Sequence, residues 1–376
     1  MRTRYLIGIE FEYLLTSKND YSADGLRFYK NIAVKDLSTV LENRPGAGDP
    51  TLYHDSEGVK NGYWYVEGVE RYTREGKLLD QAVKGLEVRT PPTTSIGAAL
   101  NQLLRLEHQL RVRLMRTGLD LAVAAYHPTA PPYVFDPPLA AWEEARRLIL
   151  PECRLADVAM LTYGPDLNFS LPDWSETQLG NAWEALAANE RARQPSARLF
   201  RIRGRTEDHP LLRPARASTE RGRFEYKAFD AAPSAHLLGA CSALVLGLLL
   251  DQTLPQRCFA QPQSLYDRVA FDPFGDSGVI KYAEIALRAA KCALFERDLM
   301  TEFRRLDLLE TMLRTKRTPA QDALGRYELT GQLVHYGGLD LKPLEINNTA
   351  SSYTTKVTKF KSNNSNFARA IKTQCS

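Results

Sequence analysis

Residues 7–12 read Ile-Gly-Ile-Glu-Phe-Glu, and this stretch decides the fold class. Over residues 4–15 apolar side chains at odd positions, from Tyr5 to Tyr13, alternate with the even positions that carry Glu10 and Glu12. A period of two predicts a β-strand with one apolar face, and it places both glutamates on the other face. Carboxylates at this spacing lie about 7 Å apart, close enough to hold one or two hard cations.

Two later segments repeat the pattern of an acid beside a base on one strand face. They are Gly-Leu-Glu-Val-Arg-Thr at 85–90 and Arg-Phe-Glu-Tyr-Lys at 223–227. Taken alone, each such segment also fits a solvated strand face. Three strands in one sheet would instead gather the carboxylates of Glu10, Glu12, Glu87 and Glu225 beside Arg89, Arg223 and Lys227. Carboxylates for magnesium and cations for phosphate oxygens indicate nucleotide-phosphate chemistry.

The rest of the chain predicts an α+β fold with a mainly antiparallel sheet. Further strands are expected at 63–70, 119–126 and 162–171, and helices at 96–117, 140–150, 176–193, 234–250, 279–299, 301–313 and 319–334. Strands and helices do not alternate regularly, which argues against a parallel sheet. We predict one catalytic domain over 1–346. Residues 347–376 hold five asparagines and no acidic residue, and they are expected to form a flexible basic tail.

Composition excludes several classes of protein. Hydrophobic residues make up 44% and charged residues 25%, as in ordinary globular proteins, and the net charge of +4 demands no nucleic-acid or membrane partner. The longest apolar run, 237–250, is too short to cross a bilayer, and Glu10 interrupts any export signal. Five cysteines without a C-x-x-C pair suggest neither a disulfide framework nor a zinc site. The expected location is the cytoplasm.

Motifs along residues 5–250 resemble the glutamate–cysteine ligase superfamily, including its bacterial carboxylate–amine ligase branch. The Ile-Gly-Ile-Glu-Phe-Glu strand resembles its opening strand, and three matches follow in order: 85–90, Ala-Ala-Tyr-His-Pro-Thr at 124–129, and Asp-Leu-Asn-Phe-Ser-Leu-Pro at 166–172. Arg213-Pro214 and residues 223–230 resemble the family's Arg-Pro and Glu-x-Arg-x-x-Asp region. The resemblance implies a glutamine-synthetase-like fold, with a concave active-site face and helices behind the sheet.

The resemblance also implies roles for individual residues. Glu10, Glu12, Glu87 and Glu225 match positions that bind or support metal, and Arg213 and Lys227 match positions that face phosphate. Asp166 stands where the family usually has histidine, so it would be either another oxygen ligand for the metal or the mark of a changed substrate pocket. Lys227 replaces a usual arginine, which keeps the charge but loses the bidentate contact.

The remaining candidates are substrate and nucleotide contacts. His127 and Asn168 join Asp166 as candidate substrate contacts, although His127 equally suits a structural hydrogen bond. Eight arginines lie within 198–223, and this arginine loop predicts a flap over the phosphates. The catalytic candidates are Arg213, Arg223 and Lys227, and the nucleotide-binding candidates are Arg89, Arg201, Arg203 and Arg205.

The implied activity is ligation that depends on ATP and Mg²⁺, with Mn²⁺ as an alternative metal. A glutamate-like or other amino-acid carboxylate would be phosphorylated, and the amine of a small molecule or peptide would then attack the acyl phosphate. Two alternatives keep the fold: a guanidino phosphotransferase like the phosphagen kinases, and a non-catalytic nucleotide- or metabolite-binding relative. Nucleic-acid binding through the arginine loop and the tail ranks last, because no stacking pattern accompanies the charge. Homo-oligomerisation is left open.

Overall fold

A computed structural model describes residues 4–49, 52, 61–149, 159–171, 215–217, 223–227, 229–253, 269 and 272–341. The predicted helix at 176–193, most of the arginine loop and the tail at 347–376 lie outside these residues.

The described strands form one open sheet in which every strand pair is antiparallel. The strands are β1 (Leu6–Ser17), β2 (Leu26–Arg27), β3 (Trp64–Tyr72), β4 (Leu78–Arg89), β5 (Leu119–Val123), β6 (Pro165–Ser170), β7 (Ala215–Ala217), β8 (Arg223–Tyr226) and β9 (His335–Tyr336). The main order is β3-β4-β1-β6-β8-β7. The C-terminal half of β1 pairs with β2 and β5, and β9 pairs with β5. Long β1 is therefore the central strand.

The described residues form eight α-helices. They are α1 (Ser38–Leu41), α2 (Ile96–Arg116), α3 (Ala141–Ile149), α4 (Ala235–Leu250), α5 (Ser277–Glu296), α6 (Met300–Arg305), α7 (Asp307–Thr315) and α8 (Pro319–Thr330). The Ser95 hydroxyl caps α2 by accepting the Ala98 N–H at 3.1 Å. Gly118, with φ +77°, follows the last turn, as glycine does after many helices. The helix predicted at 301–313 is two helices, α6 and α7, which meet at Leu306.

Helices α2 and α4 pack against one face of the sheet. Ile7, Ile9 and Phe11 of β1 are buried in a core that also contains Leu103 of α2 and Leu246 of α4. Glu10 and Glu12 alternate with these residues and lie on the opposite face. The predicted α+β class, the antiparallel sheet and the helices behind it are confirmed.

One expectation about the cysteines is wrong. Cys292 of α5 is disulfide-bonded, whereas Cys241 of α4 is a free thiol. The cysteine pattern therefore gives no support to a reducing compartment, and cytoplasmic location stays a prediction. Among the described helices, none combines the length and the apolar character that a membrane span requires.

Candidate functional site

The register of β1 against its neighbours places the predicted acidic residues on one face. Glu12 lies opposite Glu87 of β4, and Glu10 lies opposite both Arg89 of β4 and Asp166 of β6. Residues directly opposite each other in an antiparallel pair point to the same side of the sheet. The carboxylate face, as we call it, is thus built around β1 by strands that are far apart in sequence.

The same face continues across β6 and β8. Asn168 of β6 lies opposite Glu225 of β8, and Ser170 lies opposite Arg223. The Asn168 amide donates to Glu10 Oε1 at 3.3 Å, and Arg223 Nη1 donates to Asn168 Oδ1 at 2.7 Å. Asn168 therefore links an arginine of β8 to the acidic centre. All four predicted glutamates share this face.

The carboxylates gather into two triplets that share Glu87. In the first, ligand oxygens of Glu10, Glu87 and Asp166 lie within 4.8 Å of one another, and in the second those of Glu12, Glu67 and Glu87 do. Several carboxylate oxygens at this separation match the oxygen-only coordination that Mg²⁺ and Mn²⁺ prefer. The residues present therefore fit a divalent cation at either triplet.

The pKa shifts of the triplet carboxylates also favour a bound positive charge. Burial, reinforced by the charges of Glu67 and Glu10, raises the pKa of Glu87 well above its usual range. Burial also raises the pKa of Asp166 to about 7, although neighbouring Lys227 acts in the opposite direction. Crowded carboxylates disfavour each other's charged forms, and a bound cation would reverse this effect.

Glu67 and Lys84 belong to the site, and neither was predicted from the sequence. Between β3 and β4 the register passes from Glu67 opposite Gly85 to Gly68 opposite Val83, which leaves Lys84 as an extra residue in a β-bulge. Lys84 Nζ lies 2.7 Å from Glu12 Oε1. The other oxygen of Glu12 accepts the Gly164 N–H at 2.9 Å. Glycine at 68 was the available signal, because glycine inside a strand often marks a bulge.

Lys227 follows β8 directly and contacts the acidic residues nearest to it. Its Nζ forms a salt bridge with Asp166 Oδ2 and lies 3.1 Å from Glu225 Oε1. Glu225 lies outside both triplets and beside Lys227, and its metal role stays a prediction. Asp166 and Lys227, the two residues that differ from the motifs the sequence resembles, thus contact each other.

The side chain of Arg89 contacts the loop before β3. It is buried, its Nε donates to the Gly62 carbonyl at 2.8 Å, and its Nη2 donates to the Leu52 carbonyl at 2.7 Å. Its guanidinium also lies 5.0 Å from the centre of the Tyr65 ring. These contacts anchor the loop before β3, so the predicted phosphate role of Arg89 is corrected to a structural one.

His127 is likewise a structural residue. Its side chain is 0% exposed, and its Nδ1 accepts the Ala130 N–H at 3.0 Å. Phe28 packs edge-on against the imidazole at 4.7 Å. Burial lowers the pKa of His127 to about 4, so the ring is neutral at physiological pH. Full burial rules out the predicted substrate contact in this conformation.

The remaining predicted phosphate contacts cannot be placed on the face. Arg201, Arg203, Arg205 and Arg213 lie outside the described residues, and their roles stay predictions. Arg216, also in the arginine loop, lies on β7 opposite Glu225, which brings the end of that loop to the sheet.

A cavity of about 390 Å³ lies on the opposite, helix-covered side of the sheet. Phe11, Leu238, Leu287 and Leu313 contribute to its mostly aliphatic lining. None of the triplet carboxylates borders it. The carboxylate face, with its convergent charged groups, is therefore the better candidate for chemistry, although the cavity is the more enclosed space.

The open antiparallel sheet, with helices on one face and carboxylates on the other, is the glutamine-synthetase-like fold. It is similar to the solved structure of the bifunctional glutathione synthetase from Pasteurella multocida, with a TM-score of 0.54 at 13% identity over 88% of this chain. This chain spans about half of that protein, 51% of its length. The resemblance predicted from the sequence is confirmed at the level of the fold.

Two further structures are similar to this chain at lower TM-scores. One is glutamate–cysteine ligase from Francisella tularensis in complex with AMP, with a TM-score of 0.46 and 10% identity over 88% of this chain and 86% of that chain. The other is the ligase PafA in complex with the prokaryotic ubiquitin-like protein Pup, at 0.45 and 14% over 86% of this chain and 66% of that chain. No family model and no curated protein matches the sequence.

Proposed function

We propose that this chain is an ATP- and Mg²⁺-dependent ligase that joins a carboxylate to an amine through an acyl phosphate. The observation that carries the proposal is the pair of carboxylate triplets around Glu87 on the open face of a fold similar to that of a glutathione synthetase. The fold alone would be weak support, because one fold serves many reactions. The convergence of Glu10, Glu12, Glu87 and Asp166 adds support from the site itself.

In this proposal the triplets hold the metal and nearby cations meet the phosphates. A divalent cation bound there would neutralise phosphate charge and orient the transferring group. Glu10, Glu87 and Asp166 would supply its oxygen ligands. Arg223 and Lys227, at the β8 side of the face, are the described cations best placed to contact phosphate oxygens, and Arg201, Arg203, Arg205 and Arg213 are proposed to join them.

The proposed reaction has two steps, a phosphoryl transfer followed by an acyl transfer. The substrate carboxylate oxygen attacks the terminal phosphorus of ATP, and ADP leaves. The amine nitrogen then attacks the acyl carbon, loses a proton, and expels inorganic phosphate as the amide forms. A bound divalent cation, with Arg223 and Lys227 beside it, would suit both steps because negative charge develops on phosphoryl oxygens in the first and on the leaving phosphate in the second. A glutamate-like or other amino-acid carboxylate is the proposed acid, and a small-molecule or peptide amine is the proposed nucleophile.

One experiment tests the proposal and separates it from its alternatives. The full chain is incubated with ATP, Mg²⁺ and a pool of carboxylate and amine metabolites, and ADP, phosphate and new products are measured by mass spectrometry. Ligation gives ADP, phosphate and an amide in equal amounts. A guanidino phosphotransferase would give ADP and a phosphorylated product without free phosphate, and a non-catalytic relative would give none of these.

A further inference from the structure

The β-bulge between β3 and β4 directs Lys84 onto the carboxylate face. Without the bulge, Lys84 would follow the alternation of Leu86 and Val88 and point into the core, where an unpaired ammonium is costly. Gly68 permits the bulge, because a Cβ there would lie 1.8 Å from the Ala82 carbonyl oxygen. Bulges that re-aim a side chain are frequent beside functional sites.

The ammonium of Lys84 is fixed in place by its surroundings. The residue is only 4% exposed, and its Nζ lies 4.9 Å from the centre of the Tyr163 ring. The Tyr163 hydroxyl donates to the Lys84 carbonyl at 2.9 Å, which also ties the bulge to the strand β6 side of the sheet. The charge therefore stays beside Glu12, one member of the second triplet.

Lys227 differs from Lys84 in its freedom to move. It contacts Asp166, a member of the first triplet, but it is 26% exposed and follows the last residue of β8. A half-buried lysine with a flexible stem can leave a carboxylate when a stronger cation arrives. Each triplet thus has one lysine in contact with one of its carboxylates. Lys84 is fixed beside Glu12 of the second triplet, whereas Lys227 can move away from Asp166 of the first.

We propose that Lys84 is a positioning residue that neutralises the Glu12/Glu67/Glu87 triplet, so that the face binds a single divalent cation tightly, at Glu10/Glu87/Asp166. This inference rests on the proposed function and deepens it. A cation ligated by Glu12 Oε1 would lie within about 5 Å of the Lys84 ammonium, given metal–oxygen distances of about 2.1 Å and the 2.7 Å salt bridge. Like charges at that separation in a buried site repel strongly.

Counting Mn²⁺ tests the inference without measuring activity. The full chain is titrated with Mn²⁺, and free Mn²⁺ is followed by electron paramagnetic resonance. Wild type should bind one Mn²⁺ tightly, with any second ion at least about 100-fold weaker because it meets the fixed ammonium. Lys84→Met should bind the second Mn²⁺ on the order of 100-fold more tightly than wild type does, since the ammonium no longer repels it and only the repulsion between the two Mn²⁺ ions remains.

Two matched variants show which triplet is responsible. Lys227→Met should still bind one Mn²⁺, with an affinity on the order of tenfold higher, because the competing ammonium at Asp166 is removed. Glu12→Gln combined with Lys84→Met should return to one Mn²⁺, since the second triplet has lost a ligand. Circular dichroism and thermal melting of each variant identify those that are folded.

Three results would overturn the inference. They are two equally tight Mn²⁺ ions in wild type, no tight Mn²⁺ in wild type, and a folded Lys84→Met variant that still binds one. The wild-type titration decides the matter even if Lys84→Met does not fold. Failure here is distinguishable from failure of the proposed function, because formation of ADP, phosphate and an amide with two equally tight Mn²⁺ ions would keep the ligase and reject the role of Lys84.

Discussion

Glu87→Gln is the substitution that tests the carboxylate face most directly. Glu87 is 4% exposed and is the member common to both triplets. Glutamine keeps the size of the side chain and removes one negative charge. At an effective dielectric constant of 20, two ionised carboxylates no more than 4.8 Å apart repel by about 3.5 kcal/mol or more, and this is the repulsion that the substitution relieves per ionised neighbour.

The stability of the metal-free variant should therefore equal or exceed that of wild type at neutral pH. The pKa of Glu87 is raised by burial in the folded state. The pKa of Glu87 in the unfolded chain is near 4.5. Because its pKa is higher in the folded state, protonated Glu87 favours folding at low pH, and this contribution to stability is lost as pH rises through the folded-state pKa. Glutamine has no proton to lose, so the variant avoids this loss.

Metal should stabilise the variant much less than wild type. With Mn²⁺ at about 1,000 times the wild-type Kd, binding adds about 4.1 kcal/mol to the free energy of unfolding. If the lost ligand raises Kd about 100-fold, the same Mn²⁺ concentration adds only about 1.4 kcal/mol. Denaturant melts with and without Mn²⁺ measure this difference of about 2.7 kcal/mol.

Glu225→Gln provides the matched control. Glu225 is buried on the same face but lies outside both triplets, beside Lys227. Stabilisation by Mn²⁺ should stay near the wild-type value in this variant. The reasoning is refuted if Glu87→Gln retains the full stabilisation by Mn²⁺, if it unfolds like a damaged core, or if Glu225→Gln loses as much as Glu87→Gln.

Three further outcomes follow from other contacts. Because the folded-state pKa of Asp166 is raised from 3.8 to about 7, metal-free wild type should lose stability as pH rises between these values, and pH-dependent melts of Asp166→Asn should show a shallower loss. His127 affects stability in the opposite direction, because burial lowers its pKa from 6.5 to about 4 in the folded state. The free energy of unfolding should therefore decrease by up to about 3 kcal/mol as pH falls through this range. His127→Gln should not show this decrease. Arg71→Met breaks a buried salt bridge with Glu143, with Nη2 and Oε2 2.8 Å apart; denaturant melts should show a cost of about 3–5 kcal/mol, and adding Glu143→Met should restore part of it.

The sequence predicts which residues share a face of the sheet, because side chains along a β-strand alternate between the two faces with a period of two. The alternation around Glu10 and Glu12 and the segment containing Glu87 each fix a strand and its polar face. Pairing these strands in antiparallel register then brings the acids together. This part of the site follows from local pattern and simple sheet geometry.

The residues that sequence reasoning missed depend on a break in that period. Glu67 of β3 and Lys84 of β4 lie on the carboxylate face next to the β-bulge. At the bulge, the alternation of β4 side chains between the two faces of the sheet is interrupted. A strict period of two would place Lys84 on the core side. Gly68 signals a bulge, but the sequence does not reveal which neighbouring side chain the bulge will turn.

Two corrections concern side-chain direction and not strand placement. Arg89 lies on the strand predicted for it, opposite Glu10, yet its guanidinium reaches the carbonyls of Leu52 and Gly62. His127 follows β5 as predicted, yet it is enclosed by Phe28 and the turn at Ala130. Long side chains choose among distant partners, and a single sequence does not show which loops will lie within their reach.

The contact between Asp166 and Lys227 changes how the two departures from the family pattern should be interpreted. Considered separately, an acid in place of histidine and a lysine in place of arginine look like independent losses in a decaying site. In the structure they form a cross-strand ion pair at the edge of the first triplet. An added negative charge beside Glu10 and Glu87 would burden the metal-free site, and the adjacent ammonium offsets it. Random loss of function would not supply both members of such a pair. The pair therefore favours an altered but maintained site over the alternative of a non-catalytic relative.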